Sequence, residues 1–247
     1  MKKTILAVSA LVALGSLPSA AWADLAFNIG AVTDYRYRGI SQTRLKPAIQ
    51  GGIDYSNGGL YLGTWASNIK WIKDSGGDDS VELDLYGGYK GEITKGLGYD
   101  VGLLTYQYPG NKLGDVSGFA NANTTEIYGA LSFGPATLKY SHSVSNLFGF
   151  VDSKNSGYLD LSASFDLGSG FSLAPHIGHQ SVAHNSAYSY TDYSLTLTKD
   201  FGNGLALSVA AIGTDNKKVA GVPAYYYAPT DKSLEKATLV VGAKYTF

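Results

Sequence analysis

Arg36 and Arg38 stand two residues apart and follow Asp34 in a stretch where polar and aromatic residues alternate. In an extended chain, residues i and i+2 share a face, so all three side chains point the same way. Five more acids, Glu82, Asp84, Glu126, Asp160 and Asp192, occupy the polar parity of other alternating stretches. If those stretches are the walls of one enclosure, six carboxylates face an arginine pair across it. A guanidinium is never neutralised in practice, so each arginine needs carboxylates or water beside it. Two arrangements stay open: a network of pairs that fills and stiffens the enclosure, or an eyelet whose transverse field orients small polar or zwitterionic solutes. Rings of charged side chains are a recurring way to set pore selectivity. Lys90, Lys139 and Lys244 fall at a lower level.

Other chemistry is sparse. The four histidines are His142, His176, His179 and His184. His176 and His179 are three apart, so on a strand they face opposite sides and cannot chelate one metal. The run His142-Ser143-Val144-Ser145-Asn146 has the residue types of an outer-membrane lipid-modifying enzyme, but a base and a nucleophile on one strand need to sit at i and i+2, where Val144 stands. His142 itself falls on the apolar parity near mid-span. Gly repeats lie inside strands rather than in a phosphate loop. There is no cysteine, which removes disulfides, thiol catalysis and cysteine-ligated metals. The expectation is no catalytic residue, no metal and no cofactor. A formal charge of −1 gives no reason for a nucleic-acid partner.

The elements that must position the charges are strands. Odd positions from Leu25 to Tyr37 are apolar or aromatic, and even ones include Asn28, Gly30, Asp34 and Arg36. The same period of two marks 81–89, 125–133, 157–165 and 239–247. Twelve stretches are predicted: 25–37, 47–56, 60–71, 80–90, 97–108, 123–133, 136–147, 156–166, 171–182, 187–199, 205–214 and 236–247. Such lengths match the ~9–11 residues with which a tilted strand crosses a bilayer. The connections alternate between short, glycine-rich turns and mostly longer loops, the pattern of an outer-membrane barrel with both termini on the periplasmic side.

Composition agrees. Charged residues are 16% of the chain, Gly numbers 31 and Tyr 19 of 247, far from a disordered chain or a coiled coil. No run outside the leader is long and apolar enough for a spanning helix, so closure of a sheet is the remaining way to satisfy the backbone in lipid. A soluble barrel would turn its apolar parity inward. Tyr35, Tyr37, Tyr55, Tyr89, Tyr99, Tyr193 and Tyr245 fall near strand ends on the outward parity, as interfacial girdles do. Twelve strands give a backbone radius of about 12 Å and a free bore of at most ~12 Å.

The first 23 residues read as a cleaved signal peptide. Lys2 and Lys3 precede an apolar run, and Ala21-Trp22-Ala23 is a small-x-small site before Asp24.

The segments DYRYRGISQT (34–43), PAIQGGIDY (47–55), GLYLGTWASNI (59–69), VELDLYGGY (81–89), YDVGLLTYQYPG (99–110) and EIYGALSFGPATLKY (126–140) resemble the TorF family of proteobacterial porins. The first block is the most specific, and the likeness covers nearly all of the mature chain. The resemblance implies an outer-membrane channel and brings no catalytic motif.

The reading from sequence is an all-β chain: a signal peptide over 1–23, then a single antiparallel up-and-down transmembrane β-barrel of about twelve strands over 24–247. Its expected function is passive diffusion of small polar or zwitterionic solutes through a narrow lumen lined by Asp34, Arg36, Arg38, Glu82, Asp84, Glu126, Asp160 and Asp192. A non-conducting structural or adhesive barrel and a lipid-modifying enzyme are the alternatives. Expected partners are outer-membrane lipid, a small polar solute and the barrel-assembly machinery, through the strand ending in Phe247.

Overall fold

The computed structural model describes residues 24–215, 218–227 and 232–247, so the leader assigned to 1–23 lies outside the described residues. Among the described residues twelve long strands form one wall. They are β1 Asp24–Val32, β2 Ala48–Asn57, β3 Leu60–Asn68, β4 Val81–Thr94, β5 Leu97–Gln107, β6 Thr124–Phe133, β7 Ala136–Ser143, β8 Gly157–Ala163, β9 Phe171–Ser181, β10 Tyr190–Asp200, β11 Leu205–Thr214 and β12 Thr238–Thr246. After a break at Ser164, β8 continues as Phe165–Gly168 against β9. Every strand pairs antiparallel with its sequence neighbours, and β12 returns to β1 in register from Asn28↔Thr246 to Val32↔Gly242. The sheet is thus closed; among the described residues of the wall only the short Phe165–Gly168 continuation, which pairs with β9 alone, keeps a free side.

One end of the barrel carries turns of two to four residues. The other carries six longer loops: L1 (33–47), L2 (69–80), L3 (108–123), L4 (144–156), L5 (182–189) and L6 (215–237). L2 holds a four-residue helix, Trp71–Asp74, and L3 a 3-10 turn at Leu113–Asp115. No helix among the described residues is long and apolar enough to cross a membrane.

Burial follows the period of two with its usual sign reversed. Leu25, Ile29, Ile49, Leu85, Val101, Leu131, Leu159, Leu195, Val209 and Val241 all face outward and are exposed. The buried set, which includes Tyr35, Ala48, Ile69, Ile72, Leu104, Tyr106, Tyr108 and Leu113, lies inside the barrel at its long-loop end. An apolar exterior around a polar and aromatic interior is stable where the outer solvent is hydrocarbon.

Several boundaries differ from expectation, and one difference matters. The alternation from Leu25 continues past Val32, but the strand does not. Thr33 N–H makes a last ladder bond to Val241 O at 2.9 Å, and the chain then bends into the lumen. Asp34, Arg36 and Arg38 are therefore residues of L1 rather than of a wall. Tyr35 and Tyr37, expected in the outer girdle, are lumen residues for the same reason. Tyr55, Tyr89, Tyr99, Tyr193 and Tyr245 do carry the outward parity. β7 stops at Ser143 rather than at 147, which moves His142 from mid-span to the long-loop rim. β3 gives way to L2 after Asn68, while β4 runs on to Thr94.

Candidate functional site

L1 owes its inward course to local pairing. Asp34 accepts hydrogen bonds from Ser41 Oγ (2.5 Å) and Thr43 Oγ1 (3.3 Å) and an ion pair from Arg36 Nε at 2.7 Å. Around this carboxylate the chain forms a miniature hairpin in which Arg36-Tyr37 pairs with Ile40-Ser41. The two turn residues, Arg38 and Gly39, have φ of +45° and +80°. Successive positive φ values are what a two-residue hairpin turn requires. A Cβ on Gly39 would lie 2.7 Å from Thr214 Cγ2 and 2.8 Å from Asp192 Cβ, so only glycine lets the tip press against β10 and β11.

The hairpin crosses the lumen. Its tip guanidinium, Arg38, forms a fork on Glu126 of β6, with Nη1–Oε1 at 3.0 Å and Nη2–Oε2 at 2.7 Å. It also donates to Gln180 Oε1 of β9 at 2.6 Å and lies over the ring of Tyr158 on β8, 4.1 Å from the centroid. Both charged side chains of the pair are almost fully buried, at 7% and 2% exposure. On the near side Tyr35 OH donates to Glu82 Oε1 at 2.5 Å, and Tyr108 OH to its other oxygen at 2.9 Å. Tyr37 and Tyr106 share a phenol–phenol hydrogen bond, and Phe148 of L4 packs on both rings. Arg36 also donates to the carbonyls of Gly39 and Lys236, each at 2.9 Å, tying L1 to L6.

The arginine pair is therefore divided: Arg36 holds the hairpin together, and Arg38 anchors it to the far wall. Glu82, Asp84, Glu126 and Asp192 are buried and point inward at this level. Asp84 Oδ1 has no hydrogen-bond partner. Asp192 accepts from Tyr158 OH at 2.9 Å. Asp160 stands across Gly178 from Asp192, and its carboxylate meets His176 Nε2 at 2.5 Å. The sites reasoned from sequence omitted Tyr35, Tyr106, Tyr108, Tyr158, His176 and Gln180, which bond Glu82, Glu126, Asp160, Asp192 and Arg38. Inward parity marks all of those that stand on strands. His142 and Ser143 lie on opposite faces of β7, and Ser143 Oγ donates to Ser145 O at 2.9 Å.

Below the neck the walls are unlike each other. β3 to β6 present Tyr61, Tyr86 and Tyr128, each opposite a glycine of the neighbouring strand: Gly88, Gly63 and Gly102. The rings lie over those glycines, where a Cβ would collide with them. The phenols hold carboxylates, Tyr61 OH to Asp100 at 2.6 Å and Tyr86 OH to Asp54 at 2.5 Å. β9 to β12 present Ser172, Ala174, Ser194, Thr196, Ser208, Ala210 and Gly242 across the lumen. The lower lumen is thus an eccentric, half-exposed polar chamber under a tightly packed neck.

Outside the lumen, burial pushes the Glu235 carboxyl in L6 up to about 7; Asp215 adds to this, and the Ala224 backbone N–H opposes it.

A closed twelve-stranded barrel with its apolar face outward and a loop folded into its bore has the fold of bacterial porins. Residues 18–247 match the family described as a bacterial protein of unknown function (Gcw_chp), and the chain belongs to that family. No curated protein matches the sequence. Among solved structures, the chain is similar to a KdgM porin in complex with disordered oligogalacturonate, with a TM-score of 0.56 at 7% identity over 92% of this chain and 99% of that one. It is also similar to a NanC porin, with a TM-score of 0.54 at 13% identity over 90% of this chain and 99% of that one. At these identities the likeness is one of fold.

Proposed function

We propose that this protein is an outer-membrane channel for passive diffusion of small polar or zwitterionic solutes, with L1 as its constriction. The short-turn end and both termini face the periplasm. The observation that carries the reading is the L1 hairpin, which spans the lumen from Tyr35 on Glu82 to Arg38 on Glu126 and sets the width of any path. The porin fold of the KdgM and NanC neighbours supports it, as does the resemblance of the Asp34–Thr43 block to TorF porins. On this reading Asp34, Arg36, Arg38, Glu82, Asp84, Glu126, Asp160 and Asp192 act through the neck. Arg38, Glu126 and Asp192 shape the path, while Arg36 and Asp34 hold the loop. Phe247, whose ring stacks on Phe27 with centroids 6.1 Å apart, ends the strand offered to the assembly machinery.

A second reading rests on a specific observation: the neck charges are paired and buried. In that reading the barrel is closed at rest or purely structural. Single-channel recording of the refolded barrel separates the two. A channel gives discrete current steps, and a structural barrel gives none.

A further inference from the structure

One hydrogen-bonded rung of the wall carries opposite charges that make no ion pair with one another. Lys90 on β4 is directly opposite Asp100 on β5, Asp100 opposite Ala130 on β6, and Ala130 opposite Lys139 on β7. All four face the lumen. Opposite charges facing each other across strands ordinarily pair. Here neither lysine makes an ion pair with a carboxylate among the described residues. Tyrosines hold the charges apart. Lys139 Nζ rests on the ring of Tyr128, 3.8 Å from its centroid, and Lys90 Nζ lies 5.7 Å from that of Tyr61. Tyr61 OH takes one oxygen of Asp100 at 2.6 Å. The next acid along the rung, Asp160, is turned away from Lys139 to His176.

We infer that Asp100 and Lys139 form a binding site for a zwitterion of the α-amino-acid type, with the solute's ammonium on Asp100 and its carboxylate on Lys139. The Cα atoms of the two residues are two strand spacings apart, roughly 9–10 Å, with Ala130 between them on the rung; the Tyr128 ring under Lys139 Nζ is linked through the Tyr61 phenol to Asp100 and floors the space between the two charges. An α-amino acid, whose charges are one carbon apart, offers a charge-assisted hydrogen bond of about 2.8 Å to each of the two groups at once. A carboxylate held by a phenol and an ammonium parked on a ring are each desolvated in part and retain one strong bond to give, so they recognise a ligand that carries both signs. The site deepens the channel reading and, as a step in permeation, rests on it. It lies below the neck, on the route a solute takes once past L1.

The test is saturation-transfer NMR on the refolded, detergent-solubilised barrel, titrated with L-alanine, propionate and ethylamine. L-Alanine is expected to bind saturably and at least about tenfold more tightly than either singly charged probe, the worth of one lost charge-assisted contact of about 1.4 kcal/mol or more. Asp100→Asn and Lys139→Met are each expected to bring L-alanine down to the level of the single-charge probes. Equal binding of all three probes to the wild-type barrel overturns the inference, and this arm does not depend on either variant folding. Unchanged L-alanine affinity in both folded variants overturns it as well. A barrel that conducts without preferring L-alanine removes this site alone. One that prefers L-alanine but passes no current removes the channel and leaves the site.

Discussion

At the scale of single residues the neck is built from charges whose partners were only partly legible. Inward parity gave the carboxylates of Glu82, Asp84, Glu126, Asp160 and Asp192, because a period of two assigns a face without knowledge of the neighbours. Parity could not assign partners, since these come from phenols and an amide on other strands and from a loop. Arg38 is the test of the pairing. Removing it leaves Glu126 buried without its cation, so Arg38→Ala is expected to cost about 3–5 kcal/mol, whereas Arg38→Met combined with Glu126→Met costs much less. Denaturant midpoints of the heat-modifiable folded form measure both. Glu235 gives a pH dependence outside the wall. Its folded-state carboxyl titrates near 7, above the ordinary carboxylate range, so the neutral form favours the docked L6. That contribution is complete below about pH 4.5 and is lost as pH rises through 7. Amide exchange in 232–236, corrected for intrinsic rate, is therefore expected to be faster at pH 8 than at pH 5, and Glu235→Gln is expected to flatten the difference.

At the scale of elements the strands were legible and the first loop was not. Alternation and turn residues located twelve strands, because an apolar outer face in lipid leaves its mark on every second residue. The same alternation misled at Asp34–Arg38, where polar and aromatic residues keep the period of two after the ladder has ended at Thr33. The turn that folds L1 inward uses Arg38-Gly39 instead of Asn-Gly or Asp-Gly, so it carried no strong turn signal. The numbers of glycine and tyrosine, by contrast, have a structural meaning visible only in register. Tyr61 opposes Gly88, Tyr86 opposes Gly63, Tyr128 opposes Gly102, Tyr99 opposes Gly91 and Tyr193 opposes Gly213, so the rings lie flat against the wall. On the inner face, the flat rings of Tyr61, Tyr86 and Tyr128 leave the lumen open, while Tyr99 and Tyr193 lie flat on the outer face. Gly63→Val is expected to push the Tyr86 ring into the lumen, break its bond to Asp54 and cost about 1–3 kcal/mol by overpacking, with a smaller conductance in the variant that still folds.

At the scale of the whole molecule, apolar residues outside and polar residues inside make a lipid-facing container. L1, L2, L3 and L4 bring a small aromatic core into one end of it, and L6 packs Leu234 and Tyr225 against Ile40 and Tyr190 beside it. The container alone would have a bore of about 12 Å; the inserted hairpin crosses it, with Arg38, Tyr106 and Tyr158 buried around the crossing. The central claim is that this hairpin is the constriction of a conducting path, and single-channel recording in planar bilayers tests it directly. Wild-type barrel should give small, discrete steps, and a barrel with residues 36–41 replaced by Gly-Ser should give steps several times larger while keeping heat-modifiable mobility. A wild-type barrel of verified fold that passes no current, together with a loop replacement that passes none either, would contradict the account.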